Sequence, residues 1–522
     1  MSISTCSPPP PERIRHKRLI LATALTVLVL LATSLRLVPV IFFPSQAWAD
    51  EIFQATEQAH RLVYGSGLVP WEFQLGARSW LLPGVIAGLM ELARLAGDGP
   101  DYYLPVIACA FGLLAAVPVI CCFFWASRLF GAAGGMIAAA AVAVAPELVY
   151  FGARTLTEVI AAHLLVGAVY LLDRAYPATQ RRRCVAGGML LGLVCVIRIQ
   201  LAPTVVLVAL WTSWRRPREH LSTMFGGAFV VLCAAGLLDA LTLGYPLASI
   251  WRYVLYNVVY GASSTFGVEP WYYYFVGEFS VWGFGFGPLI LLTLLGARHK
   301  PVLLAAAISI LAVHSGIPHK EYRFIYPAIV CLMVLAGIGL GQIAAAAGAW
   351  LRDRTGSGRI AASVCALLAV ACWCHMSLEV WTGPTLTVLR NRKHDHLLAA
   401  SYVAHGPAPC GVGLYGAEGS DWQASGGYTF FHRPAPLYWP KDREALTAAA
   451  PGFDTLISIG SAPEELGFTV LRCFGSVCVA RRAGDCRRLP PMPMPFPAPL
   501  AGLADAVPAT NETSRRLAVT MP

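Results

Sequence analysis

The stretch His319-Lys320-Glu321-Tyr322-Arg323-Phe324 stands between two apolar runs, 301–317 and 324–350. Charge at the end of a membrane segment costs free energy unless it has a task, so the hexapeptide reads both as a boundary and as a site. Outward from it the chain is mostly apolar: 57% of its 522 residues are hydrophobic and 13% are charged. A helix needs roughly 20 apolar residues to cross a bilayer. Eleven stretches fit or approach that length: 18–41, 102–125, 131–150, 157–174, 184–198, 201–214, 222–243, 281–297, 301–317, 324–350 and 359–379. The pattern predicts an all-α polytopic membrane protein, in which the short pair 184–198 and 201–214 forms a tight hairpin or one broken helix.

Lys and Arg in short loops mark the cytoplasmic side. Arg13, Arg15, Lys17 and Arg18, Arg181 to Arg183, Arg215, Arg216 and Arg218, Arg298 to Lys300, and Arg352, Arg354 and Arg359 then fall on one side of eleven spans. The excess of 39 basic over 29 acidic residues is mostly this topology signal. It does not indicate nucleic acid, because no basic patch is interleaved with exposed aromatics. The first run is too long for a signal-peptide core and reads as an anchored helix.

The spans divide the chain into a transmembrane domain, 1–380, an extracytoplasmic soluble domain, 381–488, and a Pro-rich tail, 489–522, expected to be disordered. The tail carries the sequon Asn511-Glu512-Thr513. Two long external loops, 44–100 and 244–280, interrupt the first domain. In the first, Phe53 to Tyr64 has helical spacing and ends at Gly65, and 79–95 is amphipathic, with Trp71, Phe73 and Trp80 suited to headgroup depth. The second is rich in aromatics, from Tyr253 to Phe275, and suits an interfacial belt, a stacking platform for a sugar or the roof of a lipid groove. In the soluble domain Thr455–Ile459, Thr469–Leu471 and Val477–Ala480 read as strands of a small α/β unit. Most of the 15 cysteines lie in apolar runs as small hydrophobes. Cys410, Cys473, Cys478 and Cys486 lie outside, where disulfides can form, with the connectivity open.

Asp50 and Glu51 follow the first span. As neighbours they point in different directions, so a division of labour is expected: one carboxylate faces a reacting centre as base, and the other holds the loop. The bland alternative is a pair of helix N-terminal acids. Lys320 and Arg323, three apart, would share a helix face and could grip a phosphate, with Glu321 holding one of them. Arg154 and Arg198 sit at other external span ends, Arg154 four residues from Glu158 as if in a local ion pair. Four external cations without matching anions suit an anionic lipid headgroup or a phosphate leaving group. P-loop, GxSxG and HExxH patterns are absent, and no carboxylate cluster suits a metal. A transferase that draws a polyprenyl-phosphate sugar from the lipid phase fits best, with single displacement and inversion. The competing readings are a transporter or flippase for lipid-linked sugars and a scaffold whose external domain does the work.

These motifs resemble glycosyltransferase family 22, the polyprenyl-phosphate-mannose-dependent α-mannosyltransferases of GPI-anchor and N-glycan assembly. His319 to Phe324 matches that family's HKExRF hallmark in full, and Asp50-Glu51-Ile52-Phe53-Gln54 resembles its first-loop acidic motif, with Trp48-Ala49 in place of His-Pro. Glu57, His60, Gly65, Gly67, Trp71-Glu72-Phe73 and Arg78-Ser79 continue the loop in the family's order; Arg154-Thr155, Asp239 with Gly244-Tyr245, and Phe266-Gly267 with Pro270 to Phe275 also resemble it. The type that adds the third mannose of GPI is the nearest in these segments. The resemblance covers roughly 18–345 and implies a GT-C fold with its site on the non-cytoplasmic face. It implies a catalytic acid, carried onto Asp50 with Glu51 in reserve. His319, Lys320, Arg323, Arg154 and Arg198 are expected at the donor phosphate, with Glu321, Gln54 and His60 in support. Trp71, Glu72, Arg78, Trp271 and Tyr274 are expected at the sugar or acceptor. The expected partners are membrane lipids, a polyprenyl- or dolichyl-phosphate mannose donor and a glycan or glycolipid acceptor, with no metal or other cofactor. The basic, alanine-rich runs look bacterial, which implies an inner membrane with a periplasmic site (an ER membrane with a luminal site in a eukaryote).

Overall fold

The computed structural model describes residues 11–173, 180–214, 217–355, 358–416, 421–460 and 462–504. Arg215, Arg216, the sequon at Asn511 and the end of the tail lie outside them. In a bilayer core every backbone group must be satisfied within its own segment, and the apolar runs accordingly form helices. The first half contains α1 (Pro11–Ile41), α2 (Glu57–Tyr64), α3 (Trp71–Gln74), α4 (Leu81–Arg94), α5 (Pro100–Leu114), α6 (Val117–Val144), α7 (Pro146–Phe151), α8 (Thr157–Leu172) and α9 (Gln180–Ile197). There follow α10 (Ala202–Ser213), α11 (Pro217–Leu243), α12 (Ala248–Val254), α13 (Tyr273–Trp282), α14 (Phe286–Ala297), α15 (Pro301–Gly316), α16 (Tyr326–Thr355) and α17 (Gly358–Thr382).

Among the described residues six apolar stretches are long enough to cross a membrane, and α8, α15 and the stretch Ile199–Ser213 are shorter apolar helices. This is a multi-pass membrane protein. The span boundaries differ from expectation in two regions, one being the expected run 281–297, which extends back as the apolar stretch Tyr273–Ala297 and takes 273–280 out of the expected second loop. The expected runs 102–125 and 131–150 are cut instead at Ala115 and Ala116, and Gly131, at φ 76°, is the non-helical residue inside α6. The short pair resolves into two helices, α9 and α10, parted at Arg198 and a 3₁₀ turn over Ile199–Leu201.

The core is organised around α16, whose side chains are buried almost without break from Ala328 to Ile338 and which packs on α6, α8, α14, α15 and α17. Small residues permit this approach: a Cβ at Gly341 would lie 2.8 Å from the carbonyl oxygen of Gly134, and one at Gly337 2.7 Å from that of Ala138. Arg36, fully buried in α1, caps the last turn of α6 by donating to the carbonyls of Val142 and Ala143 at 3.3 and 3.0 Å. Helix α8 measures the distance between the two ends of the bundle, about 24 Å at about 1.5 Å per residue. Beyond its last turn Asp173 accepts from Lys300 at 2.6 Å, while Glu158 in its first turn meets the hexapeptide. The basic loop 298–300 and the hexapeptide therefore lie at opposite ends.

The first external loop is folded, not laid in the headgroups. A π-helical turn, Ile52–Thr56, leads into α2, which ends at Gly65 in the left-handed region (φ 76°). Trp71 and Trp80 are 6% and 8% exposed, which corrects their expected interfacial placement. Trp71 is covered by Ala262 of the second loop and Leu500 of the tail, and Trp80 by Phe73 and Arg61 of its own loop, while the soluble domain covers the start of the loop. Ile52 and Phe53 share an apolar cluster with Leu397, Ala400, Trp422 and Phe431, and Phe53 meets the Trp422 ring at 4.9 Å.

The soluble domain holds a five-stranded sheet ordered β2-β1-β3-β5-β4, with β1 Val412–Tyr415, β2 Leu437–Tyr438, β3 Thr455–Ile459, β4 Thr469–Phe474 and β5 Val477–Arg481. Strand β1 runs parallel to β2 and β3, and β5 antiparallel to β3 and β4. Cys473 pairs with Cys478 across the last hairpin, and Cys410 with Cys486. The tail departs from expectation as far as residue 504: Leu489 and Met492 pack on the sheet, and Leu500 is fully buried with Trp71, Ala77 and Ala262. Apolar side chains spaced among the prolines anchor it.

Candidate active site

Arg323 joins three elements. Its Nη2 lies 2.5 Å from Asp50 Oδ2 of the first loop, its Nη1 3.2 Å from Glu158 Oε1 of α8, and its Nε 2.5 Å from Glu321 Oε2. Glu158 also holds Arg198 at 3.0 Å. The Arg323 and Arg198 guanidiniums each lie 4.9 Å from the Phe324 ring, which separates them from the apolar bundle. Such a buried cluster is tolerable only because each guanidinium meets a carboxylate. Burial alone would raise the Glu321 carboxyl, but the charge of Arg323 and the His319 ring overcome it and hold the group at about 2.

The two adjacent acids part as the sequence predicts. Asp50 keeps a side chain 29% exposed. Glu51 points inward to Arg154 at 2.8 Å, and Arg154 in turn donates to the Ser45 carbonyl and hydroxyl at 2.9 and 2.7 Å. Burial pushes the Glu51 carboxyl up, and Arg154 offsets this only in part. Glu51 is thus a loop anchor without access to a reacting centre, which corrects its place as reserve base.

The cations are also corrected. None of the four lacks a partner: Arg154 meets Glu51, Arg198 and Arg323 meet Glu158, and Lys320 donates to the carbonyls of Ile317 and Glu269 at 2.5 and 2.8 Å. Lys320 and Arg323 do not share a helix face, because Glu321 is extended (φ −131°, ψ 143°) and the 3₁₀ turn begins at Tyr322. The expected local pair Arg154–Glu158 does not form either; Leu156, also extended, lies between them. His319 reaches Glu321 at 3.4 Å and the Gly267 carbonyl at 3.0 Å. Burial opposes the charge of its ring, yet Glu321 raises it above the ordinary value.

A small pocket of about 60 Å³ opens beside this cluster. Gln54, on the π-helical turn that follows Asp50, lines it and donates to Glu72 at 2.7 Å. Burial first, and then the charge of Asp50, push the Glu72 carboxyl up to about 7. Thr157 lines the cleft as well and donates to Glu158 at 3.0 Å. Arg78, in the bend between α3 and α4, also lines it, with the guanidinium 5.1 Å from the Tyr253 ring. Leu81, Leu82, Val196, Ile197 and Ile199 give it an apolar wall.

Other expected residues fall elsewhere. His60 lies under the soluble domain, 3.1 Å from His432 and 2.7 Å from the Ser66 carbonyl. Tyr274 is fully buried in the bundle, while Trp271 beside it is 67% exposed, so the two do not form one binding surface. Trp71 packs against Ala77 and Leu500. Sequence reasoning missed Glu158 as the hub and Glu57 as a clamp. The signal was available: a carboxylate inside an apolar run has a partner by default.

The sequence profile of the Alg9-like mannosyltransferases matches residues 27–397. The chain belongs to the Alg9-like mannosyltransferase family. Among curated Alg9-like relatives it is 28% identical to GPI mannosyltransferase 3 of Yarrowia lipolytica, over 58% of this chain and 60% of that one. It is 29% identical to GPI mannosyltransferase 3 of Drosophila melanogaster, over 59% and 55%, and 26% identical to GPI alpha-1,2-mannosyltransferase 3 of Homo sapiens, over 60% and 58%. The chain thus spans between half and two thirds of the length of these relatives. Among solved structures, ArnT from Cupriavidus metallidurans bound to undecaprenyl phosphate superposes with a TM-score of 0.57 at 15% identity, over 89% of this chain and 99% of that one. The likeness establishes the GT-C fold for this Alg9-like chain.

Proposed function

We propose that this chain is a membrane mannosyltransferase that moves its sugar from a polyprenyl-phosphate carrier to a hydroxyl of a glycan or glycolipid. The observation that carries the reading is the Arg323 bridge: it seats a partly exposed first-loop carboxylate, Asp50, on the distant hexapeptide. The names of the relatives support mannose as the sugar, and the undecaprenyl phosphate of the structural neighbour supports a polyprenyl carrier.

The acceptor oxygen attacks the anomeric carbon while the bond from that carbon to the phosphate oxygen breaks. The acceptor proton passes to Asp50, and the phosphate leaves with the bonding electrons. One displacement inverts the anomeric centre. Arg323 fixes the orientation of Asp50 and leaves its second oxygen available. A phosphate leaving group needs no acid, so the reading calls for no metal or further cofactor.

Two features support a site on the non-cytoplasmic face. The basic loop 298–300 lies at the other end of α8, as the positive-inside rule requires. The domain packed on the catalytic loop carries two disulfides, which persist in oxidising compartments. In a bacterium that face is periplasmic. Transfer from polyprenyl-phosphate mannose in membranes containing the chain tests the reading. Asp50→Asn is expected to lower the rate about 10²- to 10⁴-fold, the range of general-base catalysis; a variant as active as the parent removes Asp50 from that role.

A further inference from the structure

Two segments far apart in the chain meet where Arg323 holds Asp50. Asp50 stands just before a π-helical turn and Arg323 lies in a 3₁₀ turn. Such short turns take their position from what they pack against. Helix α7 touches both segments, and all six of its residues are buried. On the side of the first loop, Arg154 donates from Nε to the Tyr150 carbonyl at 3.2 Å, lies 4.2 Å from the Tyr150 ring and holds Glu51. On the side of the hexapeptide, Glu147 accepts a hydrogen bond from the Tyr322 hydroxyl. Its other oxygen accepts from the Trp282 indole of α13 at 2.8 Å.

Glu147 is fully buried and forms no ion pair among the described residues. A carboxyl in that position costs stability unless it has a task. An acid in the first turn of a helix is common, but an acid facing water would serve the helix as well. Here both oxygens are spent on side chains of other elements. Tyr322 fills the open position of the HKExRF pattern, between Glu321 and Arg323. Its ring packs on α13, where a Cβ at Gly277 would lie 3.3 Å from Tyr322 Cδ2, and stands 6.4 Å from the Phe151 ring of α7. A phenylalanine would fill that space equally; only the hydroxyl engages Glu147. The geometry points to Glu147 as a positioning residue. Through Tyr322 it fixes the backbone that presents Glu321 and Arg323. Together with Tyr150 and Arg154 it makes α7 the gauge that sets the hexapeptide against the first loop. The assignment deepens the transferase reading and rests on it for the effect on turnover.

Tyr322→Phe is the decisive variant, because it keeps the ring and removes the tether. Hydrogen exchange of the full-length protein in nanodiscs reads the tether apart from turnover. Amides of residues 319–325 are expected to exchange about tenfold faster in Tyr322→Phe than in wild type, with those of α16 from Ala328 to Ile338 unchanged. Mannose transfer in membranes, from undecaprenyl-phosphate mannose to the membrane's own acceptors, reads the role. Per folded chain and at saturating donor, the rate should fall about tenfold or more, with the half-saturating donor concentration within about twofold of wild type. Glu147→Gln, whose amide has one accepting oxygen for two donors, should lower the rate in the same direction. Both changes together should cost less than the product of the two, since they open one contact. In the Asp50→Asn background Tyr322→Phe should lower the residual rate no further, whereas a purely structural loss would lower it by the same factor again. Unchanged exchange, or full transfer by folded Tyr322→Phe, overturns the proposal, and so does an undiminished effect in the Asp50→Asn background. Faster exchange in Tyr322→Phe alongside a wild type that transfers no mannose would uphold the tether and defeat the transferase reading instead.

Discussion

Asp50 and Glu51 differ by one position along the backbone and end in different surroundings, one partly exposed on Arg323 and one in the interior on Arg154. The sequence supplied the principle, since adjacent side chains diverge, but not the partners. Spacing identifies a partner only when both residues lie on one regular element. Arg154 precedes the first turn of α8 across an extended Leu156, so its four-residue distance from Glu158 carried no geometric meaning. Glu158 instead serves Arg198 and Arg323 together, with a side chain 1% exposed. Glu158→Gln would leave Arg198 buried without a carboxylate within ion-pair range among the described residues. Breaking a buried pair from one side costs about 3–5 kcal/mol, so a clear fall in the thermal midpoint of detergent-solubilised protein is expected. An unchanged midpoint would mean that water reaches this cluster.

Helix α2 and the turn before it are where the first loop is fastened. Fully buried Glu57 accepts hydrogen bonds from the backbone amides of Leu68, Tyr428 and Thr429 at 2.8, 3.0 and 2.8 Å and from the Thr429 hydroxyl at 2.8 Å. Gly427 makes this clamp possible: its φ is 60°, and a Cβ there would stand 2.6 Å from a Glu57 oxygen. Gly427→Ala is expected to cost about 2 kcal/mol or more, from left-handed backbone and collision combined, and to speed proteolysis between 382 and 394. One turn along, burial holds the His60 ring at about 4, against an ordinary 6.5. Burial also lowers His432, with Asp98 opposing and Arg433 adding to the shift. Between those two values the unfolded chain takes up more protons than the folded one, so stability is full above about 6.5 and declines toward 4, by at most about 3 kcal/mol for one histidine. Burial raises Glu57, whose effect has the opposite sign. The informative measurement is therefore the difference between wild type and His60→Gln in thermal midpoint from pH 7.5 to 4.5, with the steeper acid loss expected in wild type.

At the scale of the molecule, the bundle was legible because apolar runs in a bilayer have few alternatives to helix, and the hexapeptide was legible because charge interrupts them. Strands β3, β4 and β5 were visible in short apolar runs. The docking of the soluble domain was not legible, because Ile52 and Phe53 look like any apolar pair until Trp422 and Leu397 arrive from far along the chain. The tail failed for a similar reason: its prolines argue against regular structure but not against packing, and Leu500 is fully buried beside Trp71. This docking gives the scaffold reading a sharper form, since the domain and the first loop share one core. A chain ending at residue 383 keeps the apolar cluster around α16 nearly whole, for Leu386 and Leu389 are the members it loses. It should therefore insert and remain monodisperse in detergent. The same truncation uncovers Ile52 and Phe53 and strips Glu57 of its contacts with Tyr428 and Thr429. Asp50 would then sit on a loop free to shift by more than the tolerance of a displacement reaction, and transfer should fall about 10²-fold or more. Full transfer by the truncated chain would show that the bundle alone holds Asp50 against Arg323, and the soluble domain would lose its positioning role.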